Sequence, residues 1–325
     1  MHNIRIGVLG YANIAQKAIL PALQNLSEIF TINAIASRSL SIENEINNKY
    51  PSALFFSSYN NLLASNVIDA IYIPLPNSMH YEWCKKAIQK GIHVIVEKSL
   101  ACSYDEVIEL NTIAKQKNVA LLENFQFRKH SQLDYLKKCI NTGEIGELRF
   151  IRSSFCFPPF TDDTNIRYQK ILGGGALLDA GAYPIKIASE ILGDNITLKS
   201  ALLNSLGHEV DILGGGTILQ DETNVFFQFA FGFDNYYQCN IEVVGTKGKI
   251  STNRIFTAPP SLEPIYRHES QDSICDIVLE PDNAYVNMLK YFYQCIYNDD
   301  LKNQEYIGNI KQAQLLDQFK KLINE

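Results

Sequence analysis

An apolar strand that runs into a small-residue turn and then a helix opens this chain, and strand–helix alternation continues to about residue 127. Arg5-Ile6-Gly7-Val8-Leu9 reads as the strand. Gly10-Tyr11-Ala12-Asn13-Ile14-Ala15 is the turn, and Gln16-Lys17-Ala18-Ile19-Leu20 enters the helix. Alternation with short loops demands parallel strands joined by right-handed crossovers. The turn has the form G-x-A-x-x-A, a variant of the dinucleotide-binding G-x-G-x-x-G. Gly10 can make the tight turn. Ala12 adds one methyl where backbone approaches a pyrophosphate, and Ala15 adds one where helix packs on sheet. An ordinary strand–turn–helix would carry the same residues, so the turn needs support from the strands that follow.

The second strand, 31–36, ends in Ser37-Arg38-Ser39. An NAD-preferring site usually places a carboxylate here to accept from the ribose 2′-OH. A guanidinium would instead pair with a 2′-phosphate through charge-assisted hydrogen bonds, which predicts NADP(H) over NAD(H), with NAD(H) possible. A solvated surface arginine is the other reading of Arg38. The third strand read from the sequence, 68–73, ends at Pro74-Leu75-Pro76-Asn77, and a helix follows over 79–89. The next apolar run, 92–96, ends in Glu97-Lys98-Ser99, which places Lys98 at the carboxyl lip of a strand, where open α/β sheets bind ligands. A helix over 104–117 and a strand over 119–123 complete the alternation. Several of these strands are continuously apolar, as expected for a sheet covered on both faces.

A length of 325 residues fits about two domains. Net charge is −6 with scattered basic residues, so no nucleic-acid footprint is expected. No apolar run is long enough for a membrane span, and the opening lacks the regions of a signal peptide. The seven cysteines include no C-x-x-C, and most sit among apolar residues, which predicts buried thiols in a reducing, cytoplasmic compartment. The six histidines form no H-x-x-x-H pair, so no metal is expected from spacing.

Past residue 148 the pattern changes. Strand-like runs at 148–157, 211–220, 223–233, 236–244 and 249–255 follow one another with only one helix, over 176–191, near their start. Consecutive strands without crossover helices imply an antiparallel sheet. Gly214-Gly215-Gly216 would interrupt one run, and Gly245-Thr246-Lys247-Gly248 reads as a hairpin turn between two others. Helices over 283–297 and 306–324 finish the chain. The expected architecture is an α/β Rossmann domain at 1–125, followed by an α+β domain with an open, mostly antiparallel sheet at 126–325. A sheet face that must be covered somewhere suggests a homodimer or homotetramer.

Gly173-Gly174-Gly175-Ala176-Leu177-Leu178-Asp179-Ala180-Gly181-Ala182-Tyr183 is the densest motif of the second half. Asp179 and Tyr183 are four apart and share a helix face. Gly181 inside a helix is less favourable than Ala by about 1 kcal/mol, so a packing or functional reason is expected. A buried Tyr–Asp pair that only orients a core helix would look the same. Arg167, just before the glycines, is placed to meet an anionic group of substrate or cofactor; a plain surface arginine is the alternative.

Taken in order, the G-x-A-x-x-A turn, Pro76-Asn77 with His80, Glu97-Lys98, Phe127-Arg128, the Gly-Gly-Gly-Ala-x-x-Asp-x-Gly-x-Tyr motif and Glu242-x-x-Gly245-x-x-Gly248 resemble the glucose–fructose oxidoreductase/inositol dehydrogenase/MocA family over nearly the whole chain. The resemblance implies NAD(P)-dependent oxidation or reduction of a sugar, a sugar nucleotide or a cyclic polyol. It implies Lys98 as the family lysine, Tyr183 as the acid/base and Asp179 as the helix aspartate, orienting Lys98 or holding a substrate hydroxyl. It implies a cofactor shell of Gly10, Tyr11, Ala12, Asn13, Ile14, Ser37, Arg38, Leu75, Pro76, Asn77, His80, Glu97 and Lys98, and substrate contacts from Arg167, Asp179 and Tyr183. Within the family the glycine motif is most similar to ketoreductases acting at C3 of nucleotide-linked deoxysugars. A polyol or dihydrodiol dehydrogenase and a non-catalytic NAD(P)-binding regulator stay open as alternatives. Ser99 stands where the family has proline. A cis bond before serine is less favourable by about 2.5–4 kcal/mol, so a trans Lys98–Ser99 peptide is expected.

Overall fold

The computed structural model describes residues 3–162 and 164–324, which divide into two compact units. One comprises the residues up to Asn124 together with Tyr285–Ile310. The other comprises Phe125–Ala284 and the residues from Lys311 on.

The first unit is built on a six-stranded, fully parallel sheet. Its strands are β1 (Ile4–Leu9), β2 (Phe30–Ala36), β3 (Leu54–Phe56), β4 (Ala70–Ile73), β5 (His93–Val96) and β6 (Leu121–Glu123), in the order β3-β2-β1-β4-β5-β6. Strand order therefore reverses between β1 and β4, and such a switch point opens a crevice at the carboxyl ends of the strands. The apolar runs are buried as expected: Ile6, Val8 and Leu9 of β1 and Val94, Ile95 and Val96 of β5 are fully enclosed. Helix Asn77–Gln89 follows β4. Helix Tyr104–Lys117 follows β5 and starts with a capping box, in which Ser103 accepts from the Glu106 N–H and Glu106 accepts from the Ser103 N–H.

A single boundary near residue 125 did not include the return of the chain to this unit. Helix Ala284–Tyr297 carries an apolar stripe, Met288, Leu289, Phe292, Cys295 and Ile296, that joins the core cluster formed by Ile4, Ile6, Val8 and Phe30. The stripe has helical spacing, and it is buried in that cluster beside the parallel sheet. The last helix, Asp299–Asn324, then gives its first part to this unit and its remainder to the other.

The second unit holds an eight-stranded sheet, ordered β14-β13-β12-β11-β7-β10-β9-β8. Its strands are β7 (Leu148–Cys156), β8 (Ile196–Asn204), β9 (Leu213–Gln220), β10 (Phe226–Gly232), β11 (Gln238–Gly245), β12 (Gly248–Asn253), β13 (Ile265–Ser270) and β14 (Ile274–Val278). All pairings are antiparallel except β7 with β10. The 245–248 hairpin forms as read. The glycine run does not interrupt β9; the strand is continuous through Gly214, Gly215 and Gly216. Phenylalanines explain it. A Cβ on Gly214 would lie 2.7 Å from the Phe231 ring and one on Gly216 3.2 Å from the Phe229 ring, so rings from β10 fill the space that β9 leaves open. Strands β8, β13 and β14 were not read from the sequence. All five residues of β14 are exposed, so it shows no alternation to detect.

Candidate functional site

In the first unit, three strand ends carry the residues singled out by the sequence. Gly10 follows β1 with φ +117°, a conformation that L side chains rarely adopt. Its N–H donates to the Ala36 carbonyl at 2.9 Å. A Cβ here would meet Leu75 Cδ2 at 2.9 Å, so the turn after β1 and the Pro74–Asn77 turn after β4 close on each other at the switch point. That is a cradle which only glycine can line, and it fits a dinucleotide pyrophosphate. Tyr11, Ala12 and Ile14 are partly buried and Asn13 is exposed along the turn. The helix it enters is not a plain α-helix: a π-helical turn, Ala15–Ile19, precedes the α-helical stretch Leu20–Gln24.

At the end of β2, Ser37 is buried and its hydroxyl accepts from the Ser39 N–H at 3.1 Å. Arg38 is exposed, with its guanidinium carbon 6.0 Å from the Tyr59 ring centroid. A cation held against an aromatic ring while its N–H groups face solvent is available to a phosphate.

His80 and Glu97 organise the turns after β4 and β5. The His80 ring is fully buried, with Nε2 2.7 Å from the Leu75 carbonyl oxygen and Nδ1 2.7 Å from the Ser99 carbonyl oxygen. The ring lies between the Pro76-Asn77 turn and the Lys98-Ser99 turn, and a neutral imidazole donates its one N–H to one of these two carbonyls at a time. Burial pushes its pKa down to about 4, outweighing the two carbonyls, which favour the protonated ring. Glu97 Oε1 accepts from the Tyr72 hydroxyl and from the Asn124 amide, each at 2.7 Å. Burial raises the Glu97 pKa against those two bonds. Lys98 stands between these anchors, partly buried.

The Lys98–Ser99 peptide is cis, which corrects the expectation of a trans bond. That expectation weighed only the local preference of a peptide before serine. It left out the partners on either side: the Ser99 carbonyl faces His80, and the Leu100 N–H donates to the buried Glu123 carboxylate at 2.8 Å.

The second unit presents its own cluster. The helix that carries Asp179 and Tyr183 begins with a π-helical turn, Leu177–Gly181, and becomes α-helical at Ala182–Leu192, where a plain α-helix from 176 was expected. π-turns recur at functional sites. Gly181 has the packing reason anticipated for it: a Cβ would lie 3.0 Å from the Phe231 ring. Tyr183 is 7% exposed within a ring of aromatics, with centroids of Phe155 at 4.8 Å, Phe125 at 5.3 Å and Phe256 at 5.6 Å. Arg167 Nε donates to Asp179 Oδ2 at 2.6 Å, and the guanidinium lies 4.9 Å from the Phe160 ring centroid. Asp179 raises the Arg167 pKa, and Tyr183 adds to that effect, so all three groups share one electrostatic neighbourhood.

Asp211 is a residue that the sequence reading missed. Its Oδ2 accepts from the Leu177 N–H at 2.5 Å and its carbonyl accepts from the Ala176 N–H at 2.8 Å, which starts the helix bearing Asp179 and Tyr183. Tyr72 and Asn124, which orient Glu97, were missed too. No local motif marks any of them; each meets its partner across a long stretch of sequence.

Comparison with known proteins identifies both domains. Residues 4–125 match the family described as "Oxidoreductase family, NAD-binding Rossmann fold", and residues 133–251 match the GFO/IDH/MocA C-terminal domain. The chain is 33% identical over 317 residues to the dTDP-3,4-didehydro-2,6-dideoxy-alpha-D-glucose 3-reductase of Actinomadura kijaniata, covering 97% of this chain and 94% of that one. It is 30% identical to the enzyme of the same name from Streptomyces antibioticus, covering 97% and 95% of the two chains. It superposes on KijD10, a 3-ketoreductase from Actinomadura kijaniata solved in complex with NADP and TDP-benzene, with a TM-score of 0.93, 32% identity and 98% of each chain covered. The chain, an NAD-binding Rossmann domain joined to a GFO/IDH/MocA C-terminal domain, belongs to the Gfo/Idh/MocA family of oxidoreductases.

Proposed function

We propose that this protein is an NADP(H)-dependent ketoreductase that transfers hydride to C3 of a nucleotide-linked 3-keto-deoxysugar. The likeness that carries the reading is one-third identity, over almost the full chain, to dTDP-linked 3-reductases. Residues 1–125 bind the cofactor and the residues from 126 on bind the sugar nucleotide. When bound, the nicotinamide supplies the hydride.

The chain's own residues handle position and protons. Gly10 through Ile14 and the Leu75–Asn77 turn hold the pyrophosphate region, Arg38 with Ser37 holds the 2′-phosphate, and His80 and Glu97 fix the turns around Lys98. A carbonyl carbon that accepts hydride leaves its oxygen needing a proton. Tyr183 donates that proton as general acid, and Lys98 steadies the charge on the same oxygen. Asp179 and Arg167 act as a pair: the carboxylate fixes the guanidinium, which contacts an anionic group of the substrate. The enzyme works in the cytoplasm, consistent with seven free cysteines. It works as a homodimer or homotetramer, supported by the exposed Ile265, Ile274, Ile277 and Val278 on β13 and β14. No helix among the described residues is long and apolar enough to cross a membrane.

Titration of the purified protein with NADPH and NADH, followed by nicotinamide fluorescence, tests the cofactor assignment. NADPH binds more tightly than NADH in the wild type, and Arg38→Ala weakens NADPH about tenfold or more while leaving NADH unchanged. An unchanged NADPH/NADH ratio in Arg38→Ala removes Arg38 as the phosphate clamp.

A further inference from the structure

A second cluster of ligating side chains lies in the second unit, among residues that have no part in the proposed reduction. Cys139, Glu144 and His268 offer a sulfur, a carboxylate oxygen and a ring nitrogen that all lie within 4.8 Å of one another. The three come from different places. Cys139 is buried near the end of helix Ser131–Asn141, Glu144 sits in the turn after it, and His268 is on β13. The Glu144 N–H donates to the Cys139 carbonyl at 3.2 Å, which holds the turn over the helix end.

The histidine is oriented as a ligand. Its Nε2 pairs with the Tyr135 hydroxyl at 2.9 Å, and its Nδ1 faces Glu144 Oε2 at 3.8 Å. In the tautomer whose Nε2–H donates to the Tyr135 hydroxyl, Nδ1 keeps its lone pair, as in zinc-bound histidines. A fourth donor comes from the neighbouring strand. Cys275 on β14 is the register partner of His268, and directly paired residues project from the same sheet face. Cys275 is exposed and outside any disulfide, so it can turn inwards.

We propose that Cys139, Glu144, His268 and Cys275 form a tetrahedral zinc site that ties helix Ser131–Asn141 to the β13–β14 edge, independently of the reductase reading. Two thiols, one imidazole and one carboxylate are a zinc donor set, and tetrahedral zinc holds such ligands about 3.4–3.6 Å apart. The three clustered donors close by about an ångström to reach that spacing, and Cys275, whose sulfur lies outside the group, reaches them by rotation of its side chain. Binding displaces two thiol protons to solvent. Spacing rules cannot find this site, because its ligands lie on a helix, a turn and a distant hairpin.

The full-length protein, stripped with a chelator, is titrated with Co2+ alone and then with Zn2+ alone. One equivalent of Co2+ gives a thiolate charge-transfer band in the near ultraviolet, and one equivalent of Zn2+ abolishes it. His268→Gln and Cys275→Ser each weaken Zn2+ binding at least tenfold, and Tyr135→Phe weakens it about tenfold through loss of the outer hydrogen bond. Both ligand positions are outside the buried core, so these variants fold even where Cys139→Ser does not; circular dichroism and NADPH binding check that. Absence of the band at one equivalent overturns the site, and so does wild-type zinc affinity in either His268→Gln or Cys275→Ser.

Discussion

Arg167 and Asp179 lie twelve residues apart in sequence and 2.6 Å apart in space, and their pairing sets what each can do. A carboxylate that accepts from a guanidinium fixes its position, and the guanidinium keeps further N–H groups for another anion. Tyr183, in the same neighbourhood, is enclosed by aromatic rings, so its phenol is held in one orientation. Removing only the hydroxyl isolates its role. Tyr183→Phe leaves NADPH affinity unchanged and lowers kcat by about 10²–10⁴, the usual span for a general acid; steady-state turnover beside a cofactor titration reads both, and wild-type turnover rejects the role. Much of this scale was legible in the sequence. Gly10, Ser37, Arg38 and Lys98 stand at strand ends, and apolar runs mark strand ends clearly. Asp179 and Tyr183 share a recognisable motif. Tyr72, Asn124 and Asp211 were not legible, because a residue that orients another across a sheet leaves no mark on local spacing.

Turns and helix starts decide how those residues are presented. Asp211 accepts from the Leu177 N–H and starts the Tyr183 helix. Asp211→Ala leaves that donor without its acceptor, and lowers stability by about 1–3 kcal/mol. Asp211→Asn keeps an acceptor and loses less. Denaturant midpoints for the two variants measure the difference; equal midpoints would mean that the cap adds nothing.

His80 does comparable work between the turns after β4 and β5, and pH exposes it. The unfolded ring takes a proton below its ordinary pKa of 6.5, whereas the folded ring resists until about 4. Between those values the unfolded state binds more protons, so stability present above pH 6.5 is lost as pH falls towards 4. For His80 the loss is on the order of 3 kcal/mol. His93, also pushed down to about 4 by burial, adds loss in the same window. Unfolding free energies of the wild type fall between pH 7 and pH 4.5, and His80→Gln shows a visibly shallower fall. Equal slopes would mean that His80 is not the buried neutral group described.

At the scale of the whole molecule, two periodicities account for what could be read. Continuous apolar strands with intervening helices point to a parallel sheet, and strands without crossover helices to an antiparallel one; both are present. The parallel β7–β10 pair, the exposed β14 and the return of helix Ala284–Tyr297 to the first unit were not legible, since each depends on what a segment meets after folding. The glycine run in β9 shows the same limit, because its continuity depends on phenylalanines of the neighbouring strand. The family likeness spans nearly the full chain, so one activity is tested rather than two separate ones.

The most direct measurement is NADPH consumption by the purified protein in the presence of a dTDP-linked 3-keto-2,6-dideoxysugar, with the product identified by mass spectrometry. Stoichiometric oxidation of NADPH with a two-hydrogen gain in the sugar is the predicted result. NADPH that binds tightly but is not consumed with any nucleotide-linked ketosugar would contradict the reductase and leave a cofactor-binding regulator on the same fold.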